Sequence, residues 1–251
     1  MASLRENRAK RKLQRGGVVT MLMGGMDDAG TIDMMGQLGF DAVLIEGEHG
    51  SADFSNLADL TRACDVWGMT SVMRVSMNHP AYIYRAFDLG AQGIMVPHVN
   101  TAAEAREVVD AAKFAPIGHR GSSTGRQGYG VHDYVHKANE ETLVTVLIED
   151  IAAIDKIEEI ASVDHVDVFY VAPGDLAQSM GLVGQTSHPE VQAAIDRGIK
   201  GVIEAGRVAG ALANDANIGH YLDLGVRFVG VPWIGWAASG ARNFLSNLEG
   251  R

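Results

Sequence analysis

The chain has 251 residues, 47% hydrophobic and 21% charged, with a formal net charge of −10. This size and composition exclude a disordered chain and suit a soluble globular protein, while the acidic balance excludes a general nucleic-acid binder, which needs a basic face for phosphates. The single cysteine, Cys64, excludes an internal disulfide and a cysteine-based zinc cluster and fits a reducing, cytoplasmic setting.

Residues 1–16 are the basic exception. Arg5, Arg8, Lys10, Arg11, Lys12 and Arg15 crowd together with only Glu6 opposing them, and no hydrophobic signal core accompanies them. They are expected to form a solvated opening helix or tail. No stretch approaches the roughly 20 apolar residues of a membrane span.

Gly17 to Met23 then reads as a first strand, and Ala29 to Leu38 as a helix stopped by Gly39. Ala42 to Ile45 is a continuous apolar run, as expected of a strand covered on both faces in a parallel sheet. It ends abruptly in Glu46, Glu48 and His49. Asp53 or Ser55 is expected to cap a helix running to about Trp67, with Gly68 as its stop. Thr70 to Val75 forms the third strand and delivers Arg74. His79-Pro80 opens a helix through Leu89, Gly93 to Val96 makes the fourth strand, and Thr101 caps an alanine-rich helix to about Phe114.

Between Pro116 and about Asn139 the pattern lapses into a glycine-rich irregular stretch, expected to be a loop over the functional site. Leu143 to Ile148 is the fifth strand, ending in Glu149. Val166 to Val171 is the sixth, ending in Ala172-Pro173-Gly174-Asp175. Val208 to Ala213 and Arg227 to Val231 supply the last two strands, and Ile234 to Leu248 a final helix. Eight strands alternating with helices, without a composition break, predict an α/β chain folded over residues 1–251 as one (β/α)8 TIM barrel.

Polar residues interrupt the apolar strands at their carboxyl ends, where such folds bind ligands. They are His49, Arg74, Glu149 and Asp175. Two carboxylates on adjacent strand ends suit a hard divalent cation with oxygen ligands, Mg2+ or Mn2+. Each also has a structural alternative: Glu149 as a cap of the helix that follows, and Asp175 as an acid in a first helical turn. Arg74 at the end of an apolar strand points to an ion pair or a bound anion.

Ile45-Glu46-Gly47-Glu48-His49-Gly50, Arg74, Phe87-Asp88-Leu89-Gly90-Ala91-Gln92-Gly93, Arg120-Gly121, Arg126-Gln127-Gly128-Tyr129-Gly130, Ile148-Glu149 and Pro173-Gly174-Asp175-Leu176 follow one another in this order. Together they resemble the HpcH/HpaI aldolase family of class II, metal-dependent pyruvate aldolases, over about Gly17 to Gly230. The resemblance implies a lyase that makes and cleaves 4-hydroxy-2-oxo acids through a pyruvate or hydroxypyruvate enolate held on a divalent metal, Mg2+, Mn2+ or Co2+. It implies Glu149 and Asp175 as metal ligands, Arg74 as the enolate-stabilising residue and His49 as the acid–base residue. Pro173, Gly174 and Asp175, with Arg74, would hold the substrate. It further implies a hexamer built as a trimer of dimers, the last helix exchanged between subunits and Asp88 reaching a neighbouring subunit's histidine.

The chain departs from the family pattern near the site, with Glu46 for an aspartate, Ala172-Pro173-Gly174-Asp175 for Gly-Pro-Ala-Asp, and Leu147 for a glutamine. These changes bear on the substrate more than on the metal. The alternatives are a decarboxylase of oxaloacetate-type acids, which shares the enolate, and a catalytically silent barrel that binds a 2-oxo acid.

Overall fold

A computed structural model describes residues 3–248. Eight parallel strands close into a barrel in sequence order: β1 (Val19–Met23), β2 (Ala42–Glu46), β3 (Thr70–Arg74), β4 (Gly93–Val96), β5 (Leu143–Ile148), β6 (Val168–Val171), β7 (Ala209–Leu212) and β8 (Phe228–Pro232). The seam closes where Val19 to Met23 run beside Phe228 to Pro232. In chain order the helices are α1 (Arg8–Gln14), α2 (Ala29–Gly36), α3 (Leu57–Trp67), α4 (Pro80–Asp88), α5 (Ala102–Ala112) and α6 (Tyr134–Glu141). They continue with α7 (Ile151–Ile154), α8 (Ile157–Ala161), α9 (Pro173–Ser179), α10 (Pro189–Glu204), α11 (Ile218–Leu224) and α12 (Ile234–Ser246). No helix among the described residues is long and apolar enough to cross a membrane.

The continuous apolar strands follow from burial on both faces. Inward-pointing Met21, Leu44, Val72, Met95, Leu147 and Tyr170 fill the barrel, while residues alternating with them pack outward against the helices. Tyr170 fits because Gly230 has no side chain: a Cβ there would collide with the phenol oxygen.

The opening helix is not a solvated tail. Ala9 and Leu13 join the barrel interior, Asn7 Nδ2 donates to the Gln92 carbonyl at 2.9 Å, and Lys10 Nζ donates to the Thr142 carbonyl at 2.7 Å. The amino end of a barrel leaves apolar side chains open to water, and α1 covers them with its apolar face. Its arginines remain on the other.

Two local expectations change. Asn56 is the cap position of α3, because Asp53 spends its carboxylate on Ser55 and its own N–H on Asn56 Oδ1. The stretch from Pro116 to Asn139 does not cover the carboxyl end of its own barrel. It joins the end of α5 to the start of β5 and so lies at the amino end, where Arg126 pairs with Asp65 and Gln127 donates to the Gly90 carbonyl. It also contains a 3-10 turn at Arg126–Gly128 and most of α6.

Candidate active site

The carboxyl ends of β2 and β3 are in register, with Glu46 opposite Arg74. Both side chains point inward, and Arg74 Nε lies 2.9 and 2.7 Å from the two oxygens of Glu46 while Nη2 lies 2.6 Å from the second. Glu46 Oε1 also accepts the backbone N–H groups of Glu48 at 2.8 Å and His49 at 3.1 Å. The loop therefore curls over its own carboxylate. Gly50 permits this, since a Cβ there would stand 2.7 Å from the Glu46 carbonyl oxygen.

Burial pushes Glu46 upward in pKa, but the hydrogen bonds and charge of Arg74, with the two backbone donors, outweigh it and hold the carboxyl below its ordinary range. Arg74 is buried too, and Glu46, Glu48 and Glu149 more than offset that, so the guanidinium stays charged. Nη1 of Arg74 faces Glu48 at 3.3 Å and is the corner of the fork turned toward the rest of the site.

Glu149 follows β5 and is 2% exposed. It does not cap α7; Asp150 does, accepting the N–H of Ala152. Instead Glu149 Oε1 accepts the backbone N–H of His98 at 2.8 Å. Burial raises its pKa, the bond and charge of His98 oppose this, and the negative charges of Asp175 and Glu48 raise it further. Asp175 stands in the first turn of α9, as its structural reading required, and near enough to Glu149 for the two to repel. Neither forms an ion pair with a lysine or arginine among the described residues.

A buried carboxylate beside a second one is unfavourable unless positive charge joins them, and His98 alone leaves the Glu149 pKa raised. The pair fits a hard divalent cation. Among the described residues no group of three or more His, Cys, Asp or Glu is set to hold a metal, so water and substrate would complete the shell. Beside them an added Cβ at Gly174 would meet nothing within 4 Å, which leaves space against the first backbone amides of α9.

His49 is two-thirds exposed, with Nε2 3.8 Å from Glu48 Oε2. The structure therefore brings His49, Arg74, Glu149 and Asp175 to one end of the barrel. It does not bring Asp88 there: this residue ends α4 at the amino end, where Arg120 Nη2 donates to its carboxylate at 3.1 Å.

Two further residues belong to the site. Glu48 touches Arg74, His49 and His98, and His98 stands between Glu48 and Glu149. His98 adopts a left-handed backbone with φ 54°, a conformation costing a non-glycine residue about 1–3 kcal/mol and found preferentially at functional positions. Its signal in the sequence was a polar residue just past β4, one proline beyond the apolar run.

A family model described as HpcH/HpaI aldolase/citrate lyase matches residues 20–233. A 4-hydroxy-2-oxo-heptane-1,7-dioate aldolase of Escherichia coli is 36% identical over 231 residues, covering 90% of this chain and 88% of the relative. A hydroxypyruvate/pyruvate aldolase of Roseobacter denitrificans is 35% identical over 230 residues, covering 90% of each. The crystal structure of an HpcH/HpaI aldolase/citrate lyase family protein from Burkholderia cenocepacia superposes with a TM-score of 0.90 at 28% identity, covering 96% of this chain and 99% of the other.

Proposed function

The chain belongs to the HpcH/HpaI aldolase/citrate lyase family and is an aldolase, a carbon–carbon lyase; from that premise we propose how its own residues divide the work. The substrates are 4-hydroxy-2-oxo acids on one side and pyruvate or hydroxypyruvate with an aldehyde on the other. The reaction occupies the carboxyl end of the barrel. The observation that carries this reading is buried Glu149 beside Asp175, near enough to repel it, at the same barrel end as the charged Arg74 that Glu46 holds.

Members of this family generally depend on a divalent metal ion, and one held by Glu149 and Asp175 would supply Lewis-acid polarisation of the 2-oxo group. The all-oxygen ligand pair favours Mg2+ or Mn2+, with Co2+ also accommodated. Arg74, fixed by Glu46, stabilises negative charge developing on the enolate oxygen, the kind of preorganised electrostatic contribution that dominates many enzymes. Pro173, Gly174 and Asp175 hold the substrate carboxylate against the amides that open α9, with Gly174 leaving room for it. His49 moves the proton: off the 4-hydroxyl as the carbon–carbon bond breaks and then onto the enolate carbon to give the methyl group, and in the reverse direction off that methyl group and onto the acceptor's carbonyl oxygen as the bond forms.

The working unit is an oligomer, for which a hexamer of three dimers is our reading. Helix α12 has no buried residue; Trp236 near its start leans on Phe40, but Phe244 and Leu245, with Leu248 just beyond the helix, stand exposed, so the apolar side of its second half is unspent on its own barrel. Exchange of this helix with a neighbouring subunit would bury it. The same assembly would let Asp88, a quarter exposed at the amino end, reach a neighbour's histidine. We take residues 1–251 as one aldolase domain. The buried free thiol of Cys64 supports a cytoplasmic setting.

Incubation with pyruvate, glycolaldehyde and Mg2+ or Mn2+, followed by NMR, tests the assignment. A 4-hydroxy-2-oxo acid that disappears with Arg74→Ala supports it; product formed at the same rate by that variant removes Arg74 from the mechanism.

A further inference from the structure

We propose that His98, paired with Glu48, reads a hydroxyl group on the acceptor aldehyde and so sets a preference for hydroxyaldehydes. This rests on the placement of the aldol reaction at the carboxyl end of the barrel.

The geometry begins with the backbone. The left-handed turn at His98 lets one residue act twice: its N–H holds Glu149 Oε1 at 2.8 Å, while its ring stands beside the same oxygen, Nδ1 at 3.4 Å. That arrangement carries Nε2 away from Glu149 and toward Glu48 Oε1, 3.8 Å distant. The side chain of His98 is 58% exposed, whereas that of Glu48 is 11% exposed. The ring therefore stands toward solvent and the carboxylate lies beneath it.

A separation of 3.8 Å is too long for a hydrogen bond between the two groups. It suits a shared third atom. An oxygen placed about 2.8 Å from each would sit within ordinary hydrogen-bond range of both. Of common groups on an aldehyde, a hydroxyl matches best, because it can donate to the carboxylate and accept from the imidazole N–H. A carboxylate or phosphate on the acceptor would instead face Glu48.

The carboxylate of Glu48 has its other oxygen turned to Arg74 Nη1 at 3.3 Å and to His49 Nε2 at 3.8 Å. A hydroxyl bound at Oε1 thus lies next to both the residue that stabilises the enolate and the residue that moves the proton. The acceptor carbonyl carbon, one bond from the carbon that bears an α-hydroxyl, is placed on that side.

The test compares glycolaldehyde with acetaldehyde, which differ by one hydroxyl, as acceptors for pyruvate. His98→Gly removes the ring, keeps the backbone N–H for Glu149 and suits the left-handed conformation. His98→Asn also tolerates that conformation and restores a donor on a shorter arm. The readout is the ratio of kcat/KM for the two acceptors, from which any loss common to both drops out. The expected result is a fall of about tenfold in that ratio for His98→Gly, the size of one lost hydrogen bond, with partial recovery in His98→Asn. An unchanged ratio in His98→Gly would overturn the role of His98 alone. Turnover of neither acceptor by the unaltered enzyme would overturn the placement of the reaction, and this inference with it.

Discussion

Arg74 and Glu46 meet side-on, Nε and Nη2 of the arginine spanning both oxygens of the carboxylate. Their register across β2 and β3 fixes the pair before any substrate arrives. Glu46 bears the arginine directly, while Leu147, inside the barrel on β5, is apolar and offers it no hydrogen bond. In this chain the support for Arg74 comes from β2. Glu46→Gln should therefore lower kcat by roughly 10- to 100-fold while leaving divalent-ion affinity within about twofold, because it loosens the arginine without touching Glu149. Steady-state kinetics with a metal titration checks this. A kcat within twofold of the parent would show that Arg74 holds its position unaided.

Glu149→Ala should weaken divalent-ion binding at least about tenfold, measured calorimetrically on the stripped protein. In the absence of metal the stability difference between this variant and its parent should move in the variant's favour as pH rises above the ordinary carboxylate range. The sign follows from the raised pKa of Glu149: the folded state then holds its proton more tightly than the unfolded chain, and ionisation at higher pH costs folding free energy. Unchanged metal affinity would remove Glu149 from the ligand set.

Much of this architecture was legible because parallel strands buried on both faces write themselves as apolar runs, and each run of the sequence became a strand within a residue or two. The end of each run also located His49, Arg74, Glu149 and Asp175 at one end of the barrel. The stretch around Arg126 misled for a definable reason. Its composition marked it as an irregular connection, but a segment leading from a helix into a strand lies at the amino end of a barrel, and chain order, not composition, decides that. His98 was hidden differently, since nothing in the sequence marks a histidine that will take a left-handed turn.

At the amino end, Lys113 Nζ donates to the carbonyls of Asn139 at 2.9 Å and Thr142 at 2.8 Å, next to Lys10 on the same Thr142 oxygen. Burial, with the nearby positive charges of Lys10 and Arg120, lowers the Lys113 pKa to about 7 despite Asp167. Between about pH 7 and pH 10 the unfolded chain then binds more protons than the folded one, so Lys113 becomes less costly to the fold as pH rises. Lys113→Met should gain stability relative to its parent at pH 6 and lose that advantage by pH 10. Paired melting curves decide it; a difference independent of pH would contradict the shift.

Phe244→Glu combined with Leu245→Glu places charges on the apolar side of α12 that its own barrel leaves open. Sedimentation should show a smaller assembly with the circular dichroism of the barrel retained. An unchanged sedimentation coefficient would show that α12 is not the joining element.

The central claim is that Arg74, Glu149 and Asp175 generate an enolate at the carboxyl end of the barrel, and deuterium exchange into the methyl group of pyruvate tests it without any choice of aldehyde. Proton NMR would follow the exchange in stripped protein before and after addition of Mg2+ or Mn2+. The account predicts exchange that appears with the ion and falls by about 100-fold or more in Arg74→Ala. Ion-dependent exchange that is undiminished in Arg74→Ala, or no exchange by folded protein with either ion, would contradict it.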